Sequence, residues 1–231
     1  MKKTVLLLVL LLLPALVYLF FATGKHGIMH LPIFYPEDTK TTVLEGKERT
    51  DTIYHTIASF RFANQEGDTV TEKTFENKIY VANFFFSTCP SICPRMMSQM
   101  GRVNDTTQKT DDFLIISHTV NPAHDSVPVL AAYARLIHAD AQKWMLVTGS
   151  KKEIYDLAID SYKLGVGEDA RAPGGFLHSE MMVLVDKSKR IRGYYDGTDT
   201  AQVNKLINDI KILTAEYISK TSKNEIYQKH Q

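Results

Sequence analysis

The chain has 231 residues, of which 44% are hydrophobic and 10% aromatic, enough for one core of ordinary size with appendages. Its 27 basic and 26 acidic side chains give a formal net charge of +1. No basic stripe interleaved with aromatic residues runs along the sequence, which argues against nucleic-acid binding. No internal repeat or heptad pattern is visible either, so repeat and fibrous architectures are set aside.

The amino-terminal 1–24 segment predicts contact with a membrane. Lys2 and Lys3 precede a nearly continuous apolar run over residues 5–22, just long enough to span a bilayer and also compatible with a signal peptide. We favour an uncleaved anchor, because no convincing cleavage site follows the run and no cysteine stands nearby for lipid attachment. The two lysines would stay in the cytoplasm. This predicts a single-pass protein of the bacterial inner membrane with its globular domain in the periplasm.

Residues 25–56 are polar, contain Pro32 and Pro36, and show no clear hydrophobic period, so we interpret them as a tether. The globular domain is predicted over 57–218, and residues 219–231 as a polar tail. The domain opens with a predicted hairpin, whose strands 57–63 and 69–71 flank a turn at 64–68. Strands are then predicted at 79–86, 113–120 and 144–148, alternating with helices at about 90–107, about 126–137 and from 150. The alternation predicts an α/β fold with a parallel core and a ligand site at its carboxyl edge.

The last part of the domain begins with a loop at 165–175 that is rich in Gly, Ala and Pro and has freedom to move. It leads into a predicted strand at 176–186 with His178 at its start. A turn and a second strand at 191–196 complete an antiparallel hairpin. Thr198 or Asp199 is expected to cap a final helix, whose apolar stripe begins at Val203.

Both cysteines of the chain, Cys89 and Cys93, lie where the strand 79–86 gives way to a helix. Cys93 follows Cys89 by four positions, about one helical turn, so the two sulfurs can approach each other on one helix face. The amino terminus of a helix favours the thiolate form, which binds soft metals and also attacks disulfides. A purely structural disulfide is less expected, because closing so short a loop stabilises little. Binding of a copper-like ion and reversible redox exchange both remain open.

The sequence F-F-F-S-T-C-P-S-I-C-P at 84–94, the turn N-Q-E-G at 64–67 and His178 ahead of V-L-V-D at 183–186 resemble the Sco (SenC-like) family. The resemblance covers about residues 57–215. It implies a thioredoxin-like fold with an added amino-terminal β-hairpin behind a membrane anchor, and a role in assembling the copper A centre of cytochrome c oxidase. Cys89 and Cys93 match the family's thiolate ligands, and His178 matches its histidine ligand. Two thiolates and an imidazole suit Cu(I) and also allow Cu(II).

These features predict a copper metallochaperone rather than a catalyst. The resemblance implies the copper A subunit of the oxidase as its partner, and other copper carriers are a second expected class of partner. The alternative is a thiol-disulfide oxidoreductase that reduces the cysteines of that copper site, with Cys89 attacking and Cys93 resolving. A C-x-x-C spacing would be usual for such an enzyme, and here three residues intervene. A peroxidase ranks lower, because no separate peroxidatic motif is visible.

The sequence departs from the family where many members have an acidic residue before a proline, since it has Asn121 before Pro122. Asp125 could replace the missing charge. His118 and His124 lie near the same edge and are weaker candidates for auxiliary ligands.

Three methionines at helical spacing follow the cysteine pair and resemble a copper-binding cluster, but we expect them in the core. They are Met96, Met97 and Met100.

Overall fold

A computed structural model describes residues 30–44, 47–168, 176–177 and 179–228, together with 12–14, 16 and 18. Among these residues, no helix combines the length and the apolar character needed to cross a membrane. Most of the expected anchor at 5–22 lies outside the described residues.

A five-stranded sheet forms the centre of the domain, in the order β11 (Ile191–Asp196), β10 (Met181–Val185), β5 (Ile79–Phe85), β6 (Phe113–Thr119) and β7 (Trp144–Val147). The middle strands are parallel, and the β10–β11 hairpin adds two antiparallel strands at one side. Every side chain of β5 and β6 is buried, which accounts for their unbroken apolar sequences.

In the described part of the domain, four α-helices accompany the sheet: α1 (Ile92–Thr107), α2 (Val127–Ile137), α3 (Lys151–Asp156) and α4 (Thr200–Gln228). A π-helical turn, Leu157–Ser161, continues α3. Asp199 begins α4, since its Oδ1 accepts a hydrogen bond of 2.8 Å from the backbone N–H of Ala201. The helix continues through 219–228, where we expected a tail, because Lys, Glu and Gln in that stretch favour helix.

The expected hairpin ahead of the sheet is present as β3 (Arg61–Ala63) and β4 (Thr69–Thr71). Its turn is held by Asn64, whose Oδ1 accepts hydrogen bonds of 2.9 Å from the N–H groups of Glu66 and Asp68. Gly67 in this turn has a φ of +89°, a conformation that side chains rarely adopt. A bridge from Ala63 to Thr148 joins the hairpin to the end of β7.

The polar stretch that we interpreted as a tether differs from that expectation. It contains an antiparallel ribbon of β1 (Pro36–Leu44) and β2 (Lys47–Tyr54), and Leu31 and Phe34 ahead of the ribbon pack against the core. The ribbon is rich in threonine, which favours strands. Its side chains are mostly exposed, so no face is hydrophobic and the usual period is missing.

The region around 165–186 also differs. Two short strands, β8 (Gly167–Glu168) and β9 (Phe176–Leu177), pair with each other outside the main sheet. Strand β10 begins only at Met181, so the single strand expected over 176–186 is divided in two. His178 and most of the expected loop lie outside the described residues.

Candidate metal centre

The cysteine pair lies at the carboxyl end of β5, in the turn that leads into α1. A hydrogen bond of 3.2 Å from the Cys89 N–H to the Phe86 carbonyl tightens this turn. The helix begins at Ile92, two residues later than expected, so Cys89 precedes it and Cys93 belongs to its first turn. The N–H of Cys93 points out of the helix end and donates to Cys89 Sγ at 3.4 Å. Both side chains are buried, and both are present as thiols.

The surroundings of the two thiols shift their pKa values in opposite directions. Burial opposes ionisation of Cys89, but hydrogen bonds from the backbone of Ser91 and Cys93 outweigh it and lower the pKa of this thiol. Burial raises the pKa of Cys93 far above its ordinary value, and the neighbouring Cys89 and Asp125 raise it further. The helix end therefore favours thiolate at Cys89, as expected, but not at Cys93.

A buried carboxylate fixes the turn that carries Cys89. Asp125 accepts a hydrogen bond of 3.0 Å from the backbone N–H of Ser87, and the hydroxyl groups of Ser87 and Thr119 also donate to it. His124 Nδ1 lies 3.0 Å from Asp125 Oδ1. With these partners, Asp125 joins the end of β6 to the cysteine turn and is not an open replacement for the acidic residue missing at Asn121.

Tyr133 of α2 lies near the same site and packs on the last residue of β5. Its ring stacks on Phe85 with centroids 5.4 Å apart and planes inclined by 22°. Burial raises the pKa of its hydroxyl, and the charges of Cys93, Cys89 and Asp125 act in the same direction.

The expectation of His118 as an auxiliary ligand is not supported. Its imidazole is fully buried and stacks on Phe84, with centroids 4.9 Å apart and planes inclined by 18°. Phe60, Phe62 and Tyr162 complete an aromatic cage around it. Side chains alternate between the faces of a strand, so Phe84 and its neighbour Phe85 lie on opposite faces. Phe85 packs on Tyr133 of α2, and Asn83 on the same face contacts methionines of α1, so the cage lies on the face away from the cysteine helix.

The methionines are core residues, as expected. Met96, Met97 and Met100 are almost completely buried under α1. The side-chain amide of Asn83 points at two of their sulfurs, at 3.8 Å from Met96 Sδ and 3.5 Å from Met97 Sδ. Their sulfurs are therefore turned into the core.

Within the described part of the chain, no three His, Cys, Asp or Glu side chains converge as a metal site would require. The two cysteines supply adjacent sulfur donors, and the expected third ligand, His178, is outside that part. Sequence reasoning had missed Ser87, Thr119 and Tyr133. Ser87 stands inside the motif that contains the cysteines, but no sequence pattern distinguishes Tyr133 from an ordinary helix residue.

A dithiol in the turn between a central parallel strand and the first helix of an α/β domain is the arrangement of thioredoxin-like proteins. The family model described as SCO1/SenC matches residues 48–215 of this chain. The chain therefore belongs to the SCO1/SenC family.

Known relatives agree with this assignment. The SCO1 protein homolog of Bacillus subtilis (strain 168) is 27% identical over 172 residues, which cover 72% of this chain and 86% of the relative. The structure of BsSco, described as a member of the Sco family of cytochrome c oxidase assembly proteins with a disulfide switch, superposes with a TM-score of 0.61 at 23% identity, covering 78% and 97% of the two chains. Yeast Sco1 with copper bound gives 0.55 at 24% identity, covering 68% and 89%. At these identities the structural likeness shows the fold.

Proposed function

We propose that this protein is a membrane-anchored copper metallochaperone that delivers copper to the copper A centre of cytochrome c oxidase. Cys89, Cys93 and His178 would hold the ion, and residues 5–22 would anchor the chain in the bacterial inner membrane. The observation that carries the proposal is the pair of thiols at the mouth of α1, one with a lowered pKa, in a chain of the SCO1/SenC family. The copper-bound state of yeast Sco1 supports copper as the cargo.

The chemistry of the donors fits such a cargo. Soft thiolate sulfur prefers Cu(I), and an added imidazole nitrogen also accommodates Cu(II). Three protein ligands leave the ion open to an incoming ligand from the acceptor, which a carrier requires in order to release it. Binding deprotonates the thiols, so the raised pKa of Cys93 makes copper uptake release a proton.

The test is a copper titration of the fully reduced protein in detergent, for the parent chain and for His178→Ala. We expect one tightly bound copper per chain, and an affinity lowered at least about 100-fold in the variant, since even groups behind the ligands are worth 10–100-fold. His138→Asn is the matched control, because it removes an imidazole at the C-cap of α2, away from the cysteine turn, and asparagine tolerates the left-handed backbone there. Unchanged affinity in His178→Ala would falsify the ligand assignment.

A second function, reduction of the cysteines of that copper site, is favoured by the unequal thiols. Cys89 has the lowered pKa expected of an attacking thiol, and Cys93 is the more deeply buried partner. The disulfide switch named for BsSco agrees with such a role.

Trapping tests this second function. Cys93→Ser should accumulate a mixed disulfide through Cys89 when incubated with an oxidised dithiol peptide of the acceptor, whereas Cys89→Ser should not. The mixed disulfide is read by mass spectrometry of the intact protein. Equal trapping by both variants, or by neither, would exclude the assigned roles.

A further inference from the structure

The segment ahead of the ribbon is fixed to the domain by an N-terminal clamp, formed by Asp186, Arg192 and Glu216 with the backbone of Leu31 and Pro32. Glu216 Oε1 accepts a hydrogen bond of 2.6 Å from the Leu31 N–H. Arg192 donates to the Leu31 carbonyl at 2.7 Å and to the Pro32 carbonyl at 3.0 Å. Its guanidinium also pairs with Asp186 at 3.2 Å and Glu216 at 2.8 Å.

The clamp is held firmly because its charged groups are buried. Asp186, Arg192 and Glu216 have exposed fractions of 0%, 3% and 1%. Releasing Leu31 and Pro32 would leave a buried guanidinium and carboxylate short of partners, which is costly in a protein interior. The Phe34 N–H adds a bond of 3.0 Å to the Ile191 carbonyl, and the Phe34 ring meets Tyr194 edge to face.

The clamp and the cysteine pair lie at opposite ends of the sheet. In the strand register, Val185 is opposite both Tyr80 and Ile191, which places the clamp at the beginning of β5. Cys89 follows the end of the same strand. The seven residues of β5 span about 20 Å at 3.3 Å per residue. The chain therefore enters the domain at the pole away from the thiols.

The clamp also shortens the connection to a membrane. The apolar run ends at Ala22, nine residues before Leu31, and nine residues reach about 30 Å at full extension. A flexible tether over the whole of 25–56 would have reached about 110 Å.

We infer that the clamp holds the domain close to the bilayer with its cysteine pole turned away from the lipid. The inference rests on the proposed anchoring of residues 5–22. Because the connection is so short and is attached at the clamp, the end of the domain that contains the clamp faces the bilayer most of the time. The surface of the partner protein that receives copper is then expected to lie above the lipid by at least the length of the sheet, about 20 Å.

Energy transfer in liposomes tests this orientation with the full chain. A donor dye is attached through an azide-bearing amino acid that replaces either Lys109 or Ala123, and the lipid headgroups bear the acceptor dye. Both positions are exposed; Lys109 follows α1 at the clamp pole, and Ala123 follows β6 at the cysteine pole. We expect severalfold more efficient transfer from position 109 than from position 123. Equal transfer, or stronger transfer from 123, would overturn the inference.

A variant with a longer connection is the control. Twenty Gly and Ser residues inserted between Gly27 and Ile28 leave the clamp intact, and should lower transfer from position 109 and reduce the difference between the two positions. If the insertion changed neither signal, contacts other than the short connection would hold the domain, and the inference would be wrong.

An alkaline wash of the liposomes separates this inference from the proposed function. Release of the protein by the wash would refute the anchor and the orientation together. A copper titration of the same preparation reports on the metal site independently. Retained protein with normal copper binding but equal transfer would refute the orientation alone.

Discussion

His118 is a buried imidazole whose neutrality the native structure enforces. Its ring lies in an aromatic cage, and burial lowers its pKa from 6.5 to about 3. Tyr162, with its ring centroid at 5.7 Å, is the titratable side chain among the described rings of the cage. The unfolded chain accepts a proton below pH 6.5, whereas the native state accepts one only near pH 3. The neutral ring therefore adds to the free energy of unfolding above pH 6.5. This contribution is lost as the pH falls from 6.5 toward 3.

The stability that is lost when His118 can gain a proton in the unfolded chain is measurable. Between pH 6.5 and 4.5, His118 should lower the free energy of unfolding by about 2 kcal/mol, and His118→Phe should remove that part of the pH dependence. Urea unfolding of both proteins at the two pH values measures it. If His118→Phe kept the pH dependence of the parent chain, the assignment of that dependence to the buried His118 would be wrong.

Among single residues, the sequence identified the cysteine pair and the buried methionines, because a motif and a helical spacing can be recognised within a few neighbouring residues. It could not place His118. Besides Phe84 of the neighbouring strand, the rings that enclose it come from residues 60–62 and from Tyr162, far away in the sequence. The sequence predicted β6 as buried on both faces, but not which of those faces a histidine near its end would occupy.

Two glycines in or beside helix α1 differ in the space that each has for a side chain. A Cβ on Gly101, inside the helix, would meet no atom within 4 Å. A Cβ on Gly197, between β11 and α4, would lie 2.8 Å from Met96 Cγ and 3.0 Å from the Glu180 carbonyl oxygen. Backbone oxygen cannot move aside as a flexible side chain can, so Gly197 lets the start of α4 approach α1 beneath the cysteine pair.

Alanine should have opposite effects on stability at the two positions. Gly101→Ala should raise the free energy of unfolding by about 0.5–1 kcal/mol, because alanine favours helix. Gly197→Ala should lower it by about 1–3 kcal/mol, because the core is overpacked. Thermal unfolding by circular dichroism measures both variants. The contrast fails if Gly197→Ala is as stable as Gly101→Ala.

Most elements of the domain could be predicted, because buried strands and amphipathic helices have strong patterns. The boundary errors have identifiable causes. The start of α1 was placed at Pro90 because proline suits a first helical turn, yet the tight turn at Cys89 delays the helix to Ile92. The exposed β1–β2 ribbon has no apolar face, so its sequence resembles a tether.

Across the whole molecule, the domain begins earlier than its hydrophobic pattern suggests. Leu31 and Phe34 belong to a short apolar run, L-P-I-F-Y at 31–35, but nothing local in the sequence connects them to Arg192 and Glu216. The family model, which starts at residue 48, also extends ahead of the predicted boundary at 57.

Truncation tests this extension. A chain beginning at Ile57 should unfold with a free energy lower by about 3 kcal/mol or more than a chain beginning at Lys25, because the buried groups of Arg192 and Glu216 lose their backbone partners. Urea denaturation of both chains measures the difference. Identical unfolding midpoints would show that residues 31–56 add nothing to stability.

The ribbon is a closed excursion from the domain. The His55 N–H bonds to the Tyr35 carbonyl at 2.9 Å, so the two ends of the ribbon meet at its base. The chain on either side is then fixed to the β10–β11 hairpin, through Phe34 at Ile191 and through Ile57 at Lys189. Segments whose ends are already joined tolerate insertion and replacement well. The ribbon is thus a natural place to display an affinity tag or a fluorescent reporter without disturbing the thiols.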